Sequence, residues 1–310
     1  MKIITGLAPA KINLTLDVFP KKKGDMFHRI RSIAHKISLA DELTLSEHHE
    51  FLIEGNFDCV PKENLIWKAF ELLQKFSRTP LPKVKVCVKK NIPSSSGLGG
   101  GSSDFATFVK LYLELFKLGP VTHEFIKASG KVGKDIPFFF EHKNCSIMEH
   151  FGEKVSPLSF DFSGQKIFLF FPSFPQSTAE AYGKITRFNI DYTDKFLLAP
   201  SLQNSKNAFD EFLSQSRYHY EPQESGFWNQ NASICSRSDS VPTSRDGVSN
   251  QMLHSLARKG KQAFPSLASF GNKITTARPK EIHMAGSGSA FWSMEDQEFP
   301  QCKKVQAQLL

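Results

Sequence analysis

The run from Pro93 to Asp104 reads Pro-Ser-Ser-Ser-Gly-Leu-Gly-Gly-Gly-Ser-Ser-Asp. It has almost no side chain to bury, so it cannot form core. What it presents is backbone. Glycine reaches positive φ and lets a ligand come close to the N–H groups, and successive N–H groups form a concavity that holds an anion. The flanks narrow the reading. Before the run, Val84-Lys85-Val86-Cys87-Val88 alternates with period two, a strand pattern. After it, Phe105, Phe108, Val109, Tyr112, Leu115 and Phe116 recur at helical spacing, with Ser102, Ser103 or Asp104 as N-cap. Strand, glycine loop and helix N-terminus in that order suit a phosphate, because unpaired N–H groups and the positive end of the helix dipole meet at the loop.

Neither of the two commonest phosphate loops fits. A Walker A loop needs Gly-Lys-Ser/Thr after its last glycine, whereas Gly101 is followed by Ser102-Ser103. The dinucleotide pattern is met by Gly97 and Gly99 but has Ser102 at its sixth position. A flexible linker is the bland alternative, and linkers do not normally sit between a strand and a well-patterned helix.

The totals bound the function class. A chain of 310 residues suffices for two domains or one large one. No window approaches the roughly 18 apolar residues of a membrane span, and the N-terminus runs straight into a strand pattern. The five cysteines, Cys59, Cys87, Cys145, Cys235 and Cys302, are scattered without metal-ligand spacing. These features predict reduced thiols, a cytoplasmic location and no membrane partner. The formal charge of +8 suits anionic partners. The basic residues are dispersed apart from Lys21-Lys22-Lys23, and no nucleic-acid-binding motif stands out. A nucleotide-like small molecule fits better than a polymer.

Pro-x-x-x-Gly-Leu-Gly-Gly-Gly-Ser-Ser, carried here by Pro93, Gly97, Leu98, Gly99, Gly100, Gly101, Ser102 and Ser103, resembles the phosphate loop of the GHMP kinases. Within that superfamily it is most similar to the branch acting on 4-diphosphocytidyl-2-C-methyl-D-erythritol, in the non-mevalonate isoprenoid pathway. The resemblance implies an α+β, two-domain GHMP kinase fold, with nucleotide and substrate in the cleft between domains. Residues 1–155 are expected to form the N-terminal domain and 156–310 the C-terminal one. It also implies an ATP-dependent kinase using Mg²⁺ on a small cytidine diphosphate substrate, acting as a monomer or homodimer.

Other motifs follow in chain order. Ile12, Leu14, Leu16 and Val18 alternate with Lys11, Asn13, Thr15 and Asp17. From pattern alone the polar row is the solvated face of an edge strand. The resemblance of Pro-Ala-Lys-Ile-Asn-Leu to the family's N-terminal motif implies instead that Lys11 lies at the reacting hydroxyl and Asn13 contacts the substrate. Asp25-Met26-Phe27-His28 stands where the family has Asp-Gly-Tyr-His, which implies an aromatic stack on the cytosine by Phe27 and readout of its edge at His28. Phe27 keeps the π face and loses the phenolic hydroxyl. Taken alone, His28 is an ordinary surface histidine. Ser38 to Leu45 reads as a turn into a strand. Asn64-Leu65-Ile66 opens a helix carrying Ala69, Leu72, Leu73 and Phe76. The resemblance places Asn64 and Leu65 at the adenine and Lys90 near the adenosine; core burial and a solvated lysine explain Leu65 and Lys90 equally well.

A helix is predicted over residues 122–132. Asp135, in Gly-Lys-Asp-Ile-Pro-Phe-Phe, is a turn aspartate by composition and the catalytic carboxylate by resemblance. Glu149 to Glu153 resembles a Glu-Gly-x-Gly-Glu stretch closing the first domain. In the second half, Lys166 to Phe171 reads as a strand. Ser177-Thr178-Ala179-x-x-Tyr182 implies a substrate contact by Thr178 and a second aromatic face from Tyr182. Residues 204–249 are polar and read as loop or variable helices. Gly286, Ser287 and Gly288 resemble the loop that closes on the phosphoryl site. The last 18 residues suffice for a helix, without requiring the family's final strand. Two other functions stay open: a GHMP kinase of another small alcohol, and a nucleotide-binding inactive paralogue.

Overall fold

The computed structural model describes residues 2–159, 162–172, 193, 194, 197, 283–285, 289–294, 296, 298 and 302–310. Its spine is β3 (Ile30–Glu47), a strand of 18 residues. Strands β1 (Ile3–Asn13) and β2 (Asp17–Val18) run antiparallel along one edge of β3. Strands β5 (Val84–Lys89) and β6 (Cys145–His150) pair antiparallel with its two ends along the other edge. Between them, Lys36 to Ser38 meet the C-terminus, and Ala40 and Asp41 meet Asn91 and Ile92, just ahead of the glycine loop. Strand β4 (Leu52–Gly55) lies parallel to β5, and β7 (Lys154–Pro157) antiparallel to β6.

Four helices cover one face of this sheet: α1 (Leu65–Phe76), α2 (Gly100–Phe116), α3 (His123–Val132) and α4 (Ile136–Phe140). The helical spacing of Phe105, Phe108 and Tyr112 puts all three on the buried side of α2. They pack with Ile66 and Phe70 of α1, Phe125 of α3, Phe138 to Phe140 of α4, and Leu43, Leu45, Val84 and Val86 of the sheet. Gly6 lets α2 cross β1 closely, since a Cβ there would lie 2.9 Å from Leu111. Helix α1 is capped by Asn64, whose Oδ1 accepts the Ile66 N–H at 2.9 Å. Thr122 caps α3 through the Phe125 N–H.

A second sheet joins β8 (Lys166–Pro172), β9 (His283–Met284), β10 (Phe291–Ser293) and β11 (Cys302–Gln308) in the order β11-β8-β10-β9, all antiparallel. Ile167, Leu169, Trp292 and Ala307 pack against Ala10, Ile12, Leu14, Ile33, Ile37, Ile92 and Leu98, a second core. Leu309 bridges Ile37, and the Leu310 N–H donates to the Lys36 carbonyl at 3.1 Å. Among the described residues no helix is long and apolar enough to cross a membrane.

Four sequence expectations are corrected. Helix α2 begins at Gly100 with Gly99 as N-cap in the left-handed region, so Ser102, Ser103 and Asp104 lie inside the helix rather than before it. Residues 38–45 are strand as expected, but no turn precedes it. Strand β3 runs through them, and the pairing jumps from Pro9↔Ala40 to Ala10↔Ile37, leaving Ser38 and Leu39 as a bulge. The N-terminal strand breaks after Asn13, and its polar row is not solvated: Lys11, Asn13, Thr15 and Asp17 are all buried. The final strand is present as β11, paired along its whole length with β8.

Candidate active site

The glycine loop bridges the two sheets. Leu98, fully buried, anchors it in the second core, and its carbonyl accepts the Lys11 N–H at 2.9 Å. From the other side, the Ala290 N–H donates to the Ser96 carbonyl at 3.3 Å, and the Ser289 N–H to that of Ser95 at 3.5 Å. The Ala285 N–H donates to the Ala290 carbonyl at 3.0 Å. Trp292 Nε1 donates to the Asn13 carbonyl at 3.3 Å. The Ser103 N–H is taken up by Gly99 O at 2.9 Å. The N–H groups of Gly100, Gly101 and Ser102 remain as the open first turn of α2, the donors an anion needs.

Lys11 stands beside this turn. A Cβ on Gly99 would lie 3.3 Å from Lys11 Cγ and 3.0 Å from the Phe139 ring, so only glycine admits the lysine stem here. Lys11 Nζ donates to Asn13 Oδ1 at 2.7 Å and lies 3.5 Å from Asp135 Oδ2. The lysine side chain is 5% exposed and that of Asp135 32%, so the carboxylate reaches solvent and the ammonium stands behind it. Asp135 is the N-cap residue of α4, yet its side chain makes no capping hydrogen bond and is left to face Lys11. Two cations hold the other end of α4. Lys36 Nζ donates to the Glu141 and Lys143 carbonyls at 2.6 and 3.2 Å, and Lys110 Nζ to that of Phe139 at 2.7 Å. Ammonium groups on C-terminal carbonyls suit the helix dipole. Burial, with Lys110 nearby, lowers Lys36 to about 8, Glu141 opposing. Gly133 and Gly152 complete the surround: a Cβ on the first would lie 3.6 Å from Ser102 Oγ, and on the second 3.5 Å from Asp135 Oδ1.

Phe27 is half exposed and meets Phe151 edge to face, with ring centroids 6.1 Å apart. Lys134 Nζ stands 5.6 Å from the Phe151 ring centre, so a cation and two aromatic rings line the approach to Asp135. His28 Nδ1 is hydrogen-bonded to the Phe19 carbonyl at 2.9 Å, and that contact makes Nδ1 the donor. Leu65 is half-buried against Gly101, where a Cβ would lie 3.2 Å from its Cδ1. Asn64 commits its side-chain oxygen to the α1 cap. Lys90 turns away from the loop surface to Asp41 and Asp104.

The structure thus gathers Lys11, Asn13, Gly99, Ser102 and Asp135 at the start of α2, with Phe27 in the neighbouring loop. Sequence reasoning missed Asp41 and Phe151. A lone aspartate in an alternating strand was the only signal for the first, and a position the family pattern leaves open the only one for the second. Thr178, Tyr182, Gly286, Ser287 and Gly288 lie outside the described residues. Among the described residues no three His, Cys, Asp or Glu side chains gather as a metal site. Oxygen donors beside the loop include the Ser102 hydroxyl and the Asp135 carboxylate. Oxygen donors of this kind suit a hard cation.

Comparison with known proteins fits this geometry. Residues 64–142, from the α1 cap to just past α4, match the GHMP kinases N terminal domain. The chain is 32% identical over 218 residues to the 4-diphosphocytidyl-2-C-methyl-D-erythritol kinase of Citrifermentans bemidjiense, covering 69% of this chain and 75% of the relative. The chain belongs to the 4-diphosphocytidyl-2-C-methyl-D-erythritol kinase family. Its relative in Thermotoga petrophila is 36% identical over 57% of this chain, and the match spans 63% of that relative's length. A crystal structure of a 4-(cytidine 5'-diphospho)-2C-methyl-D-erythritol kinase superposes with a TM-score of 0.62 at 23% identity, covering 99% of each chain. A mevalonate kinase superposes at 0.57 and 14% identity, covering 100% of this chain and 99% of its own. The fold expected of the family, α+β and GHMP kinase-like, is the fold observed.

Proposed function

We propose that the protein transfers the γ-phosphoryl group of ATP to the 2-hydroxyl of 4-diphosphocytidyl-2-C-methyl-D-erythritol. The observation that carries this reading is the Lys11–Asp135 pair, 3.5 Å apart and set against an α2 N-terminus opened by glycines. Phosphoryl transfer asks little covalent chemistry of a protein. It needs phosphates held in line with an acceptor, and charge placed where it develops. The N–H groups of Gly100, Gly101 and Ser102 hold the phosphates, and Leu65 offers an apolar edge to the adenine. The acceptor hydroxyl lies at Asp135. As its oxygen bonds to the γ-phosphorus and the bond to the β,γ-bridging oxygen breaks, the hydroxyl proton passes to Asp135 and ADP leaves. The Lys11 ammonium, aimed by Asn13, stabilises the charge on the incoming oxygen. Mg²⁺, carried on the phosphates with Ser102 and Asp135 as nearby oxygen donors, would neutralise phosphate charge.

Phe27 and Phe151 support a planar base as the distal part of the substrate, with His28 and, outside the described residues, Thr178 and Tyr182 as further contacts. Binding energy collected there helps orient the hydroxyl. Phe27→Ala is expected to raise KM for this substrate by the equivalent of about 1–3 kcal/mol, with kcat little changed. An unchanged KM would remove the stacking role. The two sheets support two domains near the expected 1–155 and 156–310, with β7, which ends at Pro157, at the boundary.

The decisive test is ATP-dependent phosphorylation of 4-diphosphocytidyl-2-C-methyl-D-erythritol beside homoserine, mevalonate and galactose. Turnover of the first alone is the expected result. Turnover of another alcohol would keep the mechanism and discard the base pocket. Nucleotide binding without any turnover would mark an inactive paralogue.

A further inference from the structure

Behind the glycine loop lies a buried cluster that phosphoryl transfer, as described above, does not use. Asp41, on β3, is fully buried. Its Oδ1 accepts two backbone N–H groups, from Asn91 at 2.6 Å and Ile92 at 2.8 Å, where the chain leaves β5 for the loop. Its Oδ2 accepts from Lys90 Nζ, which also donates to Asp104 Oδ2 at 2.7 Å. Asp104 is in the first turns of α2 and 3% exposed. A Cβ on Gly100 would lie 3.5 Å from Asp41 Oδ2 and 3.0 Å from Ile92 Cγ2. One ammonium therefore ties the start of the loop to the helix that ends it.

The cluster is a poor choice for stability alone. Two carboxylates share one cation in a largely buried site, and desolvating such groups often costs more than packing apolar side chains there. Burial pushes the Asp104 carboxyl up to about 7; the Lys90 ammonium opposes this and the Asp41 carboxylate adds to it. Burial works against the Lys90 ammonium, and the two carboxylates outweigh it and raise its pKa. What the cluster does secure is geometry: charge-assisted hydrogen bonds are short and directional, and they fix both ends of a glycine run that has no side chains to fix itself.

We propose that Asp41, Lys90 and Asp104 are positioning residues that set the spacing between the loop's first N–H groups and the first turn of α2, and so aim the loop at nucleotide phosphates. This rests on reading residues 97–103 as the ATP phosphate loop. It gives Lys90 a different role from the adenosine contact that resemblance implies, since its ammonium is spent on the two carboxylates.

The test uses the full chain and three ligands: ATP, ADP and adenosine. Lys90→Met and Asp41→Asn are each expected to weaken ADP and ATP by about tenfold or more, on the scale of a hydrogen bond to a charged group. Adenosine, which does not reach the loop, is expected to weaken less than about twofold, a small fraction of one such hydrogen bond. The double variant should be no worse than the weaker single one, because both break the same tie. Should Lys90→Met fail to fold, Lys90→Arg keeps the charge and alters the spacing, with the same split between ADP and adenosine expected. Equal weakening of adenosine and ADP by a Lys90 variant, with Asp41→Asn without effect, would make Lys90 a direct nucleoside contact and overturn the proposal. Wild-type affinity for ADP in all variants would overturn it too. A wild-type chain that binds no ADP would remove the phosphate-loop reading itself, a failure visible before any variant is made.

Discussion

Asp135→Ala is expected to lower kcat by at least about 10²-fold, the scale of a positioned acid or base, which corresponds to about 2.7 kcal/mol of transition-state stabilisation. Nucleotide affinity should be nearly unchanged, because the phosphates rest on backbone N–H groups of α2 and not on this carboxylate. Folding should survive as well: the Asp135 side chain makes no capping hydrogen bond, and α4 is held at its far end by Lys36 and Lys110. The variant does leave Lys11 Nζ with Asn13 Oδ1 and without its carboxylate partner. Part of the loss is then misdirection of the ammonium. Lys11→Met is accordingly expected to be similarly damaging, and the double variant not to show the product of the two losses, since groups that act as a unit are non-additive. Steady-state kinetics with a parallel ADP titration check this. Near-normal turnover in Asp135→Ala would end the assignment of the site, whatever substrate proves correct.

How much of this was legible in the sequence depends on whether the needed residues are contiguous. The glycine loop was, because close approach to an anion demands a run of small residues between a strand and a helix. Its helix start was read a few residues late: Gly99, which makes the turn at positive φ, displaces the serines as cap. The polar row of β1 shows the limit more sharply. Lys11, Asn13 and, past the strand's end, Thr15 have the period-two pattern of a solvated face, yet segments distant in sequence meet them: the glycine loop and Asp135 at Lys11, Trp292 at Asn13, and Ile33 and Thr193 at Thr15. Resemblance supplied their role where periodicity pointed to solvent. Asp41 had no signal at all beyond one carboxylate in a strand, since its partners lie some fifty residues on. Strand β11 was missed for another reason. Cys302–Gln308 is mostly polar, pairs with β8 alone among the strands, and is placed by tertiary contacts that override weak local preference.

Gly99→Ala is expected to damage both stability and turnover. Gly99 has φ of +74°, a conformation costing an L-residue about 1–2 kcal/mol. The added Cβ would also meet two ring atoms of Phe139 at 3.0 Å and Lys11 Cγ at 3.3 Å. Phe139 is buried in the α4 core and cannot swing away, so relief falls on the loop backbone and on the Lys11 stem. Both are parts that must be held to a fraction of an ångström, and a misplacement of about 1 Å can cost about 10²-fold in rate. The expected result is a stability loss of about 1–3 kcal/mol together with a fall in kcat/KM for ATP of about 10²-fold. Gly119→Ala is the control. It has φ of +82° and nothing within 4 Å of the added Cβ, so it bears the backbone cost without the collision. It should melt lower and turn over normally. If Gly99→Ala kept the turnover of Gly119→Ala, the close packing of loop, ring and lysine would have no part in catalysis, and the glycine would be needed only for its turn.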